Sequence, residues 1–137
     1  MKALALLLLA GAVLLSAGGC RSKPAPGYQG PVVFGTVNYR ARIALPSDAV
    51  LTLRLLDVTR ADMPAVVLVE KSLSGPGQPP IPFELPYPPE AIRADRRTGL
   101  EARIEVAGRT RFYSASAHPV TGESVMSPQE VWVELAR

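Results

Sequence analysis

The stretch Leu100-Glu-Ala-Arg-Ile-Glu-Val106 decides the fold class. Its apolar residues occupy every second position and alternate with charged ones, which is the period of a β-strand with one buried and one solvated face. The dipeptide Ala107-Gly108 follows as a tight connection, and residues 109–116 have the composition of the returning strand. The stretch therefore predicts a β-hairpin.

The same alternation occurs elsewhere in the chain. Leu51, Leu53 and Leu55 fall on one face of the segment 49–58. A helix is the competing reading of this leucine-rich run, but its flanking turn residues, its β-branched neighbours and Arg54 favour a half-buried strand. Further strands are expected within the ranges 33–39, 40–45, 65–70, 83–85 and 131–135.

Turn residues separate these segments, and no long helical period occurs. This pattern is typical of an antiparallel sandwich or barrel. We predict an all-β protein, an antiparallel β-sandwich of roughly seven to eight short strands. The absence of alternating strands and helices argues against a nucleotide-binding α/β domain.

The N-terminus has the composition of an export signal. Lys2 gives a positive start, residues 3–15 are almost entirely apolar, and the small residues 16–19 lead to Cys20. Such a signal is removed and takes no part in the fold. A membrane-spanning helix is the alternative, but it needs about 20 apolar residues and this run is shorter. We predict that residues 1–19 are a cleaved lipoprotein signal peptide.

The end of the apolar run resembles the bacterial lipobox, in which lipid is attached to a cysteine. Gly18 and Gly19 fit the small positions before the cut, whereas Ala17 stands where leucine is commonest. Cys20 is the only cysteine, so the mature chain cannot form an internal disulfide. A plain secreted protein with one free thiol is the alternative. We expect lipid on Cys20, and Arg21 in the next position favours the outer membrane.

Removing residues 1–19 leaves a chain of a size suited to one domain. The proline- and glycine-rich residues 20–31 are expected to form a tether after the lipidated cysteine, and residues 32–137 the β-sandwich domain. The chain has 15 basic and 12 acidic residues, interspersed along its length. Because no cluster of basic and aromatic residues occurs, we predict no nucleic-acid binding.

The sequence offers little for catalysis. His118, the single histidine, is expected in a loop before Pro119, and one histidine cannot form a histidine-pair metal site. No serine stands in a Gly-x-Ser-x-Gly motif. A Ser-His-Asp arrangement remains open, because its members meet in space and not in sequence. We predict no metal, no cofactor and no enzymatic activity.

Two groups of residues are candidates for binding. Five arginines near predicted loops and strands could recognise an acidic partner or lipid headgroups, or could simply solvate the outer surface. They are Arg54, Arg60, Arg93, Arg96 and Arg97. The proline-rich loop near Phe83 and Tyr87 could line the mouth of an apolar pocket between the sheets.

Three stretches carry a resemblance to a known family: residues 41–65 (ARIALPSDAVLTLRLLDVTRADMPA), residues 78–87 (QPPIPFELPY) and residues 102–106 with Gly108 and Phe112. Over about 32–120 the chain resembles the YbaY/YscW-type lipoprotein family. The resemblance implies an outer-membrane lipoprotein with a β-sandwich domain. Its characterised branch serves type III secretion as a pilotin, a chaperone that helps a secretin ring reach and assemble in the outer membrane. Only Cys20 carries over as a functional position.

We therefore expect a non-enzymatic bacterial envelope lipoprotein, anchored in the membrane through lipid on Cys20 and facing the periplasm. It is expected to bind a secretin-like envelope protein or to assist its assembly. The alternative is a lipoprotein that binds a small ligand, a lipid or a glycan, in a pocket of the sandwich. The sequence does not fix the oligomeric state.

Overall fold

The computed structural model describes residue 27 and residues 29–137. The predicted signal peptide and Cys20, and with them most of the tether, lie outside the described residues. Within the described part, no helix has the length and hydrophobicity required to cross a membrane.

The predicted all-β sandwich is confirmed. Nine strands and two single-turn 3-10 helices, Pro89–Ala91 and Ser124–Met126, form the described part of the chain. The strands are β1 Val32–Asn38, β2 Val50–Asp57, β3 Val66–Ser74, β4 Ile81–Pro86, β5 Thr98–Val106, β6 Arg109–Tyr113, β7 His118–Val120, β8 Gln129–Trp132 and β9 Glu134–Leu135.

The strands form two sheets. The first has the order β4-β1-β8, and the second has the order β3-β2-β5-β6-β9, with β7 also paired to β5. All pairs are antiparallel except β1 with β8, in which Gly35 stands opposite Gln129. A parallel pair needs a long connection, and here the connection contains almost the whole second sheet.

The core lies between the inner faces of the sheets. The alternation predicted for β2 and β5 is observed, and its inward-facing residues are fully buried: Leu51, Leu53, Leu55, Leu100, Ala102 and Ile104. They pack in one cluster with residues of the first sheet, among them Val33, Val37, Ile81 and Leu85. Interdigitation of two apolar inner faces is the usual way in which a sandwich is stabilised.

The predicted hairpin is formed by β5 and β6. Ala107 and Gly108 both have positive φ, 51° and 76°, as a two-residue type I′ turn requires. The return strand ends at Tyr113. At the next residue, the N–H of Ser114 still donates to the carbonyl of Ala102 at 2.9 Å, while the hydroxyl of Ser114 accepts from the N–H of Ala102, also at 2.9 Å. Pairing along β5 then resumes with β7.

The expected strand within residues 40–45 is absent. This segment crosses from the first sheet to the second, and side chains satisfy its backbone groups. The Tyr39 hydroxyl donates to the carbonyl of Ile43 at 2.6 Å. The amide side chain of Gln78 both accepts from the N–H of Leu45 and donates to its carbonyl, each at 2.8 Å. The segment is thus fixed without a strand partner.

The sandwich has two distinct ends. At one, which we call the tether end, β1 begins opposite the end of β4, and the N–H of Tyr87 donates to the carbonyl of Pro31 at 3.1 Å. At the opposite end, β1 finishes with Asn38 beside Trp132 of β8. The chain therefore enters β1, at Pro31 and Val32, at the end away from Trp132.

Candidate functional site

A cleft of about 450 Å³ opens beside the starts of β5 and its neighbours. Apolar groups of Val58, Ala94, Pro119 and Val120 line it, together with Arg93 and Arg97. We call it the tether-end cleft, because Asp57 and Thr98 pair next to it and the connection from β4 leads into Thr98. It brings together three of the five arginines that the sequence singled out.

These arginines are mostly neutralised by carboxylates. Arg93 bonds Asp95 through Nε at 2.8 Å, and Nε of Arg96 lies 3.2 Å from Oδ2 of Asp57. Arg96 also donates to the carbonyl of Ala91 at 3.0 Å, so it holds the connection from β4 against β2. Among the residues of the cleft, these two guanidinium groups act as structural ties, with their charge compensated locally.

The other two arginines that the sequence suggested for binding lie outside the tether-end cleft. Arg54 is on the outer face of the second sheet, 2.7 Å from Glu70 and 3.8 Å from Glu101. Arg60 lies 4.0 Å from Asp62. The structure therefore does not combine the five arginines into one anion-binding patch, and most of them have a carboxylate neighbour among the described residues.

Local hydrogen bonds perturb two carboxyl groups at the tether end. Bonds from the side chain and the backbone N–H of Thr59, helped by the charge of Arg96, hold the pKa of Asp57 below its ordinary value. The bond from Arg93 lowers the pKa of Asp95 in the same way. Both shifts favour the ionised carboxylate, which keeps these ion pairs intact at neutral pH.

His118 lies in β7 and not in the loop expected from the sequence. Its Nε2 is 2.9 Å from Oε1 of Gln129, a buried residue whose amide nitrogen donates to the carbonyls of Ser124 and Ser127. Because the amide nitrogen of Gln129 is fully used, its oxygen is the acceptor and His118 the donor. The histidine thus ties β7 to β8.

The surroundings of His118 do not assemble a catalytic triad. In the part of the chain that the structure describes, its ring bonds only the amide of Gln129, and no three potential metal ligands lie together. A hydrolase would need a nucleophile and a carboxylate in contact with this ring.

Phe83 and Tyr87, the expected pocket mouth, both belong to the core. Their exposed fractions are 3% and 7%. Phe83 also borders an open groove of about 530 Å³ along β4, with Phe34 and Leu73, but Tyr87 does not line that groove. The arrangement does not favour the small-ligand alternative.

Exposed apolar side chains lie at the start of β3, the edge strand of the second sheet. Val66 and Val67 are 60% and 47% exposed, and Met63 just before them is 51% exposed. Apolar residues on an unpaired sheet edge are typical of surfaces that bind another chain. Sequence reasoning missed this surface, because a valine-rich run has the same pattern whether its strand is central or at an edge.

A second exposed apolar region surrounds Trp132, which is 47% exposed and lies under the guanidinium of Arg40 at 5.2 Å. Leu135 of β9 is 44% exposed. The proximity of Trp132 to Arg40 depends on the parallel pairing of β8 with β1, which no local sequence pattern indicates.

The chain is similar to proteins of bacterial secretion systems. A family model described as type III secretion system lipoprotein chaperone (YscW) matches residues 29–131. The uncharacterised lipoprotein YbaY of Escherichia coli K12 is 38% identical over 99 residues, which cover 72% of this chain and 52% of that protein. The chain thus matches about half the length of this relative.

A solved structure is similar as well. It is that of an alternative pilotin from the type II secretion system of Vibrio cholerae, with a TM-score of 0.66 and 36% sequence identity. The similarity covers 77% of this chain and 97% of that chain.

Proposed function

The chain belongs to the family of type III secretion lipoprotein chaperones, and from this we propose that it is a lipid-anchored envelope lipoprotein that binds a secretin-like protein and assists its assembly. The observation that carries the proposal is the similarity to the alternative pilotin, which extends over 97% of that chain. Sequence identity of 36% over a shared β-sandwich supports a related mode of action, beyond a common fold.

The surface of the domain suits a binding role. Large apolar side chains are exposed at the β3 edge and around Trp132, whereas the ring of His118 is used in a structural bond. A chaperone of this kind acts by binding its partner, so it needs an exposed apolar surface and no catalytic nucleophile. We propose that the protein is not an enzyme.

The anchor is the second part of the proposal. Lipid on Cys20 would hold the domain at the outer membrane, facing the periplasm, and stable attachment needs more than one acyl chain. If residues 21–31 are extended at about 3.1 Å each, they span roughly 30 Å. The domain could then contact a partner within that distance of the membrane surface.

Detergent partitioning tests the anchor. The full-length chain should enter the detergent-rich phase of a Triton X-114 extract, whereas Cys20→Ala behind a signal peptide whose cleavage does not depend on this cysteine should stay in the aqueous phase. Ser22→Ala serves as the control, because it changes a neighbouring residue and leaves the cysteine in place. Unchanged partitioning of Cys20→Ala would show that lipid on this residue is not the anchor.

Secretin assembly tests the chaperone role. Deleting the gene should lower the amount of secretin multimer in the outer-membrane fraction several-fold. The wild-type chain should restore the multimer, and Cys20→Ala should not, because the chaperone would no longer be at the membrane. A deletion strain with normal multimers of every secretin in that cell would contradict the proposal.

A further inference from the structure

We propose that the end of the sandwich opposite the tether binds an acidic polypeptide segment. The site is a surface that we call the C-terminal seam, formed by residues 39–46 on one side and by residues 132–137 and 109–111 on the other. The inference rests on the proposed function, because it specifies the chemistry of the partner that such a chaperone would bind.

The seam consists of two neighbouring clefts. The first, about 430 Å³, lies between Tyr39–Ala41 and Trp132–Leu135. The second, about 490 Å³, lies between residues 43–46 and residues 109–111, with Ala136 and Arg137. Successive stretches of the same two segments border both clefts, so together they form one elongated surface. An extended peptide is the ligand whose shape matches it.

The floor of the first cleft is rigid. The rings of Tyr39 and Phe112 stack with their centroids 4.1 Å apart and their planes at 19°. The Tyr39 hydroxyl is fixed by its bond to the carbonyl of Ile43. A preorganised floor reduces the entropy lost when a ligand binds.

The seam holds more unpaired positive charge than the tether-end cleft. Arg40, Arg109 and Arg111 line it and are exposed, and none forms an ion pair with a described residue. In the tether-end cleft, by contrast, Arg93 and Arg96 both bond carboxylates, and only Arg97 lacks an ion pair with a described residue.

The acidic and basic side chains of the described domain are equal in number. All 12 acidic residues lie in it, and 12 of the 15 basic residues do, since Lys2, Arg21 and Lys23 precede residue 27. The unpaired arginines of the seam therefore reflect an uneven distribution and not a basic domain. Such a concentration of one sign attracts a ligand of the opposite sign.

One acidic side chain lies at the seam, that of Glu134. It stands opposite Tyr113 in the pairing of β9 with β6, whereas its neighbour Leu135 stands opposite the buried Phe112. Adjacent residues of a strand point to opposite faces, so Glu134 shares the outer face with Tyr113. Leu135 faces the cleft side, where it offers an apolar contact.

The backbone of β9 favours a polypeptide over a glycan or a lipid. Strand β9 is last in the second sheet and pairs only with β6 among the described residues, so one of its edges has no strand partner. An extended chain can pair with such an edge, while Trp132 and Leu135 give apolar anchor points. The seam also lies away from the tether end, and hence away from the membrane that the tether would reach.

A fluorescence titration tests the proposal, because Trp132 is the single tryptophan of the chain. The full-length lipoprotein in detergent micelles is titrated with three peptides of equal length that lack aromatic residues. The first alternates glutamate with leucine, the second has glutamine for every glutamate, and the third has lysine. The glutamate peptide should shift the emission of Trp132 to shorter wavelength, and the other two should bind at least tenfold more weakly.

Charge reversal locates the site. The double variant Arg109→Glu with Arg111→Glu should weaken binding of the glutamate peptide about tenfold or more. The control, Arg60→Glu with Arg97→Glu, makes the same charge change at exposed arginines elsewhere and should bind like the wild type. Because Arg109 and Arg111 make no side-chain bonds to described residues, the double variant should keep the thermal midpoint of the wild type. If the double variant has a lower thermal midpoint than the wild type, the titration is repeated with the single variant Arg111→Gln.

Several results would overturn the proposal. Equal affinity for the glutamate and glutamine peptides would show that charge is not recognised, and equal loss in both double variants would show that the site is not the seam. A Trp132 shift with phosphatidylglycerol vesicles and with none of the peptides would identify a lipid surface as the ligand.

The two proposals fail in different ways. If deletion lowers the secretin multimers and the Arg109/Arg111 variant restores them fully, the chaperone role stands and the seam proposal is wrong. If deletion has no effect while the glutamate peptide binds at the seam, the chaperone role is wrong and the docking site remains.

Discussion

The ammonium group of Lys71 donates a hydrogen bond of 2.9 Å to the carbonyl oxygen of Glu84. Lys71 belongs to β3 and Glu84 to β4, the edge strands of the two sheets, so the bond closes the sandwich along one side. Lys71 stands opposite the buried Leu53 and therefore faces inwards. A lysine that faces inwards on an edge strand discourages pairing with another chain. The exposed Val66 and Val67 at the other end of β3 have no such protection.

Replacing Lys71 with methionine should keep the packing of its aliphatic stem and remove the bond to β4. We expect a loss of about 1 kcal/mol in the free energy of unfolding, measured with urea. The variant should also self-associate more, measured by light scattering, because the edge has lost its charge. Ser74→Ala, at the exposed end of the same strand, should change neither quantity. Wild-type stability and scattering in Lys71→Met would contradict the role given to this bond.

Gly35 is a position where no side chain fits. A Cβ at this residue would overlap the backbone carbonyl of Gln129, its partner in the parallel pair of β1 and β8. We expect Gly35→Ala to lower the free energy of unfolding by about 3 kcal/mol, because a backbone contact cannot be relieved by a rotamer change. Gly122→Ala is the control, since a Cβ there meets nothing within 4 Å. Urea unfolding of the two variants should separate them clearly, and equal stability would mean that β8 does not lie against β1.

Ser114 replaces a strand partner at the break between β6 and β7. Its hydroxyl accepts from the N–H of Ala102 at 2.9 Å and also contacts the carbonyl of Ala102 at 3.2 Å. Ser114→Ala leaves the buried N–H without that acceptor, which should cost about 1–3 kcal/mol in the free energy of unfolding. Ser116→Ala, at an exposed position two residues later, should be neutral. Hydrogen exchange at the amide of Ala102 should accelerate only in Ser114→Ala.

Stability should fall in acid through Asp57. Its pKa in the folded protein is lowered from 3.8 by the hydrogen bonds from Thr59 and by the charge of Arg96. The ionised group therefore stabilises the fold above pH 3.8, and this contribution is lost as the pH falls through the lowered pKa. Urea unfolding at neutral pH and at several values below 3.8 should show a shallower decline for Asp57→Asn than for the wild type.

Thr59→Val removes the largest cause of the Asp57 shift and should have an intermediate slope. Identical slopes in all three proteins would show that Asp57 does not contribute to acid sensitivity.

The sequence predicted the strands whose pattern is set by burial on one face. Leu100 to Val106 and Leu51 to Leu55 alternate because one face packs in the core, and both segments are strands in the structure. The segment 40–45 has strand-forming residues but is held by the side chains of Tyr39 and Gln78. Gln78 is 33 residues from Leu45 in sequence, so no local pattern could reveal that bond.

The candidate sites were less predictable than the fold. An arginine near a loop looks the same in sequence whether a carboxylate pairs with it or not. Arg96 and Asp57 are brought together by the second sheet, while Arg109 and Arg111 are left unpaired by it. The environment of Trp132 was hidden for the same reason, since its contact with Arg40 requires a strand pairing across most of the chain.

The parallel pair of β1 and β8 also determines when the first sheet can form during folding. Residues 32–38 cannot complete their sheet until residues 129–132 are available, so this sheet forms only after the chain has been synthesised past β8. Contacts between residues so distant in sequence make folding slow, in the range of milliseconds to seconds for β-sandwiches. If the chain is exported as we propose, its first sheet closes only after passage across the membrane.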